Sequence, residues 1–193
     1  MTKIACDNLF PQRVWKAKLD LDCKELEKFV YSLTKQDGIG AKKSNHSGWQ
    51  SRSLHPEEFS DQIYKELVDS ILSIVNSCAE GSGVPALNIS NLWFNINSKH
   101  CYNVPHVHPR SVFSGAFYIK TNGDDGDIEF TRDDHSNAYL PETCTQNFYT
   151  SHSYRYSPEL NTLLVFGSWM THWVHPNTTN SDRISVSFNT YVR

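Results

Sequence analysis

Two short stretches of the chain concentrate residues able to hold a metal ion. They are Pro105-His106-Val107-His108-Pro109 and Trp169-Met170-Thr171-His172-Trp173-Val174-His175-Pro176. In an extended segment alternate side chains leave the same face, so His106 and His108 can project at one point. Neutral imidazole ligates iron, zinc, copper and nickel. Two rings from one strand and a third from a distant strand would cover one face of an ion, leaving the other positions for oxygen and a substrate. His-x-His alone also describes two polar residues at a strand edge, but the second cluster favours a metal. His172 and His175 lie three apart, so a strand points them to opposite faces and only one joins the site. Cys101 lies close in sequence to the cluster and is a weaker candidate.

A third element is Arg183-Ile184-Ser185-Val186-Ser187-Phe188-Asn189. Arg183, Ser185, Ser187 and Asn189 share one face of a strand, and Ile184, Val186 and Phe188 share the other. An exposed sheet face with a surface ion pair would fit this pattern. Eleven residues beyond a candidate metal ligand, an inward polar face fits better. A guanidinium there keeps its charge and requires an anion, such as a ligand carboxylate. In Val112–Tyr118 the face of Val112, Ser114, Ala116 and Tyr118 leaves room for a ligand, whose carboxylate the Tyr118 hydroxyl can reach. The Phe113, Gly115, Phe117 and Ile119 face suits packing under helices. Trp93, Asn95 and Trp173 are candidates for the pocket mouth.

The elements that must position these residues divide the chain in two. Leu26, Phe29, Val30 and Leu33 form one helical face, with Asp22 and Glu25 as a cap pair. Pro56 is expected to open a second helix, striped by Phe59, Ile63, Leu67, Ile71 and Val75 and ended by Gly81-Ser-Gly83. Beyond Pro85 the segments Ile89–Ile96, Val112–Lys120, Asp127–Thr131, Leu163–Trp169 and Ile184–Val192 read as short strands of a sandwich or jelly roll. The helices would cover one outer face of a sheet. Asp133 to Pro158 reads as a long loop region.

Length and composition agree with one globular domain over residues 1–193. A net charge of -3 argues against a nucleic-acid footprint, and no apolar run reaches the length of a membrane span. The first ten residues lack the apolar core of a signal peptide, so a cytoplasmic location is expected. Cys6, Cys23, Cys78, Cys101 and Cys144 are scattered and odd in number, which favours buried reduced thiols over disulfides or a thiolate zinc site.

Taken in order, these pieces resemble the 2-oxoglutarate and Fe(II)-dependent oxygenases. His106-x-His108 stands where that superfamily has a His-x-Asp/Glu strand motif. Gly126-Asp127-Ile128-Glu129-Phe130 looks like its Gly-Gly-x-Leu-x-Phe strand, His172-x-Val174-x-Pro176 like its distal histidine, and Arg183-x-Ser185 like its carboxylate clamp. The chain is more closely similar to a His-x-His-Pro family of such oxygenases. That likeness runs through Leu9-Phe10-Pro11, Gly48-Trp49-Gln50-Ser51, Ser114-Gly115, Ser168-Trp169-x-x-His172 and Arg183-Ile-Ser-Val-Ser-Phe-Asn189.

The resemblance implies a mostly β double-stranded β-helix (a cupin-like jelly roll) with N-terminal helices packed on the major sheet. It implies a hydroxylase-type dioxygenase using Fe(II), 2-oxoglutarate and molecular oxygen, but names no substrate; a small molecule or a peptide is expected. His106, His108 and His172 would hold the metal, and Arg183, Ser185 and Tyr118 the cosubstrate. The chain departs from the superfamily at His108, where a carboxylate is usual. A three-histidine site is neutral and should retain Fe(II) less strongly. Asp127, Asp133 or Asp134 could supply an acid, and His108 could instead orient a bound water or ligand. A cupin-type three-histidine dioxygenase without 2-oxoglutarate, or a non-catalytic module on the same fold, are the alternatives.

Overall fold

The structure is a computed structural model that describes residues 3–141 and 143–193. Its first apolar stripe forms helix α1 (Cys23–Gln36), which buries Leu26, Val30 and Leu33. Asp22 caps it, its carboxylate accepting from the backbone N–H groups of Lys24 and Glu25 at 3.0 Å each. The second stripe forms α2 (Gln62–Glu80), with Ile63, Leu67, Ile71 and Val75 buried along one side. Each such side chain contributes roughly 2 kcal/mol by leaving water. Pro56 does not open this helix. It sits in a turn closed by the Glu58 N–H on the His55 carbonyl, and α2 begins only after Asp61. Phe59 therefore lies outside the helix, where its ring meets Phe29 and Tyr64 edge-on.

The strands are β1 (Val14–Lys18), β2 (Asn45–His46), β3 (Trp49–Gln50), β4 (Leu87–Asn97), β5 (Tyr102–His106) and β6 (Phe113–Lys120). They continue with β7 (Ile128–Thr131), β8 (Ser153–Tyr156), β9 (Thr162–Gly167), β10 (His172–Val174) and β11 (Arg183–Val192). All pair antiparallel, in a major sheet ordered β1-β9-β6-β11-β4-β3 and a minor sheet ordered β2-β5-β10-β7-β8. This is the mostly β jelly roll expected, with both helices on the outer face of the major sheet. The expected loop at 133–158 holds a strand, β8, at the edge of the minor sheet.

Alternation sorts the major sheet into two cores. Phe113, Phe117, Ile184, Val186 and Phe188 pack outward against the helices. Tyr118, Leu164 and Phe166 point inward to meet Ile128 and Phe130 of the minor sheet. Gly115 is fixed by the outward packing: a Cβ there would stand 2.4 Å from both the Leu164 carbonyl and the Phe188 ring. All five cysteines are free; Cys78 and Cys101 are buried as expected, whereas Cys6 is exposed. Among the described residues no helix is long and apolar enough to cross a membrane.

Candidate metal centre

The antiparallel register of the minor sheet sets His172 of β10 opposite His106 of β5. Their ring centroids lie 4.4 Å apart. His108 follows β5 by two residues and is tied to the β9–β10 connection by its N–H on the Ser168 carbonyl, 2.9 Å. Its ring lies 5.0 Å from His106 and 5.1 Å from His172. One nitrogen from each of the three rings falls within 4.8 Å of the others, close enough to share an ion.

Backbone contacts fix which nitrogen is available. The Nδ1 atoms of His106 and His172 lie 2.7 and 2.9 Å from the carbonyls of Val104 and Met170, which can only accept. Both rings therefore carry their proton on Nδ1 and turn an Nε2 lone pair to the centre. His108 Nε2 lies 3.3 Å from His172 Nε2. Burial, then the neighbouring rings, lowers the pKa of His172 to about 3 and that of His108 to about 4. Burial also lowers that of His106. The cluster is neutral and ready for a metal without shedding protons.

No acid completes the set among the described residues. Asp133 accepts from the Thr171 hydroxyl, Asp134 pairs with Arg132, and Asp127 offers its carbonyl to the His175 N–H. None joins the three imidazoles, so the carboxylate expected as an option is not supplied by Asp127, Asp133 or Asp134. Cys101 also stays outside the cluster. His175 turns to the opposite face of the minor sheet, where its ring donates to Glu129 at 2.6 Å. Burial works to raise the Glu129 carboxyl, but hydrogen bonds from Ser153, His175 and Arg155 outweigh it and hold it below its usual range.

Across the pocket from the histidines, β11 presents Arg183, Ser185 and Ser187, flanked by Tyr118 and Ala116 of β6 and by Asn95 and Trp93 of β4. Arg183 is 3% exposed. Its Nη1 donates to the carbonyls of Gly126 at 2.6 Å and Asp125 at 3.3 Å, and among the described residues no acid lies within ion-pair distance. Burial lowers its pKa from the ordinary value. Burial likewise raises the Tyr118 phenol to about 12, so it remains a donor. Gly126 reads in the sequence only as the first residue of a strand motif, with no sign of its hold on Arg183. Its φ is +105°, and a Cβ at this position would stand 2.3 Å from the His175 carbonyl, which excludes other side chains at the turn that grips Arg183. Trp93 and Asn95 line the pocket as expected. Trp173 does not: with His172 facing inward its neighbour must face outward, where its ring lies 3.9 Å from that of His175 at a tilt of 35°.

A family model described as "Putative 2OG-Fe(II) oxygenase" matches residues 91–189, about half of the chain. The chain belongs to this 2OG-Fe(II) oxygenase family. Fe(II) and 2-oxoglutarate are the family's cofactors. The match starts at β4 and ends in β11, so it takes in the three histidines and Arg183. No curated protein matches the sequence. Solved structures share the fold at low identity. A prolyl-4-hydroxylase from Pseudomonas putida is 13% identical with a TM-score of 0.62, covering 93% of this chain and 92% of that one. A prolyl hydroxylase from Trichoplax adhaerens, bound to a hypoxia inducible factor peptide fragment, is 12% identical with a TM-score of 0.69, covering 92% and 83%. The carbocyclase SnoK from nogalamycin biosynthesis is 11% identical with a TM-score of 0.69, covering 94% and 80%.

Proposed function

We propose that the chain is a dioxygenase that couples oxidation of 2-oxoglutarate to hydroxylation of a second substrate, a small molecule or a peptide. One observation carries this reading. A fully buried guanidinium faces three neutral imidazoles across one pocket and has no acidic partner among the described residues. A buried cation without a counter-charge is costly, and a ligand carboxylate relieves the cost. The donor set suits the family's cofactors: three imidazole nitrogens for Fe(II), and Arg183 for a dicarboxylate.

Nε2 of His106 and His172, with His108, would hold the metal. Arg183 would take the far carboxylate of 2-oxoglutarate, with Ser185 and the Tyr118 hydroxyl donating beside it. Bound Fe(II) supplies the dioxygen chemistry that turns 2-oxoglutarate, oxygen and a C–H bond into succinate, carbon dioxide and an alcohol. The protein's own share is orientation and exclusion of water. Val104 and Met170 keep the two rings in the ligating tautomer, Gly126 fixes the guanidinium, and Phe130 and Phe166 pack against the His172 ring.

The test is anaerobic loading with Fe(II), followed by oxygen, with succinate measured with and without candidate substrates. Succinate formation that requires both Fe(II) and 2-oxoglutarate is expected. Three imidazoles without a carboxylate favour one second reading, a dioxygenase that binds its substrate directly to the metal. Metal-dependent oxygen uptake that ignores 2-oxoglutarate would establish it instead.

A further inference from the structure

Asn95, a pocket-lining residue only 6% exposed, carries a buried side-chain atom with no hydrogen-bond partner among the described residues, its Oδ1. Asn95 pairs in register with Ser185, and Ser185 with Tyr118. The three form a row across β4, β11 and β6, one inward position along from Arg183. The next row is Trp93, Ser187 and Ala116. Its Trp93 ring meets His108 at 5.6 Å, which marks the metal end. A ligand reaching from Arg183 to the histidines crosses both rows.

The other end of the amide is engaged, with Nδ2 donating to Ser187 Oγ at 3.2 Å. An amide and a hydroxyl can exchange these roles, because Ser187 can donate to Oδ1 once the amide is turned over. In either orientation one polar atom of Asn95 is left without a partner. The ligand chemistry selects the orientation. 2-Oxoglutarate ionised at both ends offers only acceptors, so it requires the N–H side.

We propose that Asn95 is a further cosubstrate-binding residue, donating an amide N–H to a 2-oxoglutarate oxygen while Ser187 donates to its Oδ1. This rests on the dioxygenase reading above. Its signature differs from that of a structural residue. A buried amide left partly unpaired destabilises the ligand-free protein, so an apolar replacement of similar size should weaken ligand binding without weakening the fold.

The experiment uses the full chain loaded with Mn(II), 2-oxoglutarate titrated by calorimetry, and thermal unfolding without 2-oxoglutarate. Asn95→Leu and Asn95→Asp should each bind 2-oxoglutarate at least about tenfold more weakly, with Mn(II) affinity unchanged. Asn95→Leu should melt no lower than the parent. Binding by both variants within about twofold of the parent overturns the assignment. So does a loss of binding in Asn95→Leu that comes with a lowered melting temperature. A parent protein that takes Mn(II) but no 2-oxoglutarate overturns the dioxygenase reading itself, and this inference with it.

Discussion

The neutral histidine cluster should make the metal-free protein unusually sensitive to mild acid. An unfolded imidazole titrates near pH ~6.5. Burial and the neighbouring rings depress the folded values to about 4 for His108 and about 3 for His172. The unfolded chain thus binds protons more readily than the folded one. Stability is intact above the unfolded pKa and is lost as pH falls through it, the loss growing until the folded values are reached. At pH ~5 linkage removes about 2 kcal/mol for each of the two rings, roughly 4 kcal/mol together. Carboxylates contribute little to this window because most of their titration lies below it. The assay is urea unfolding of metal-free protein at neutral pH and at pH ~5, comparing the parent with His172→Phe, whose ring can pack beside Phe130 and Phe166 without titrating. The variant should lose about 2 kcal/mol less than the parent between the two conditions. An equal loss in both proteins, or a parent loss under about 1 kcal/mol, would refute the argument that these rings are held neutral by burial.

Three further outcomes follow from the same geometry. Arg183→Met should weaken 2-oxoglutarate binding roughly a thousandfold, since a guanidinium and carboxylate ~4 Å apart at an effective dielectric of ~20 attract by about 4 kcal/mol; calorimetry on Mn(II)-loaded protein checks this, with metal affinity unchanged. Gly126→Ala should cost about 1–3 kcal/mol in urea unfolding, because φ is +105° and the new Cβ meets the His175 carbonyl. It should also weaken 2-oxoglutarate binding, because the Gly126 carbonyl anchors Arg183. Asp22→Ala should remove about 1 kcal/mol of stability through the lost α1 cap and leave ligand binding untouched.

Period-two alternation made much of the site legible. It put Arg183, Ser185 and Ser187 on one face and Ile184, Val186 and Phe188 on the other, and the structure sends those faces to the pocket and the outer core. The same rule separated His172 from His175. It also excludes Trp173, a candidate for the pocket mouth, once His172 is known to face inward. Pro56 misled because proline suits a turn as well as the first turn of a helix, and local pattern does not decide between them. Strand β8 escaped notice because its Tyr154-Arg155-Tyr156 run is short and its pairing with β7 is a long-range contact. Pairing of β1 with β9, across most of the chain, leaves no local trace either. The unpaired Asn95 oxygen could not be read from sequence at all, because it depends on which neighbours reach an atom in three dimensions.

The histidines and the guanidinium belong to opposite layers: His106 and His172 to the minor sheet, Arg183 to the major one. A dicarboxylate gripped at both ends would therefore act as a rivet through the sandwich. Separation of the layers would require its release, so breathing of β5 and β10, and the exchange of their amide hydrogens, would slow when metal and cosubstrate are present together and less with either alone.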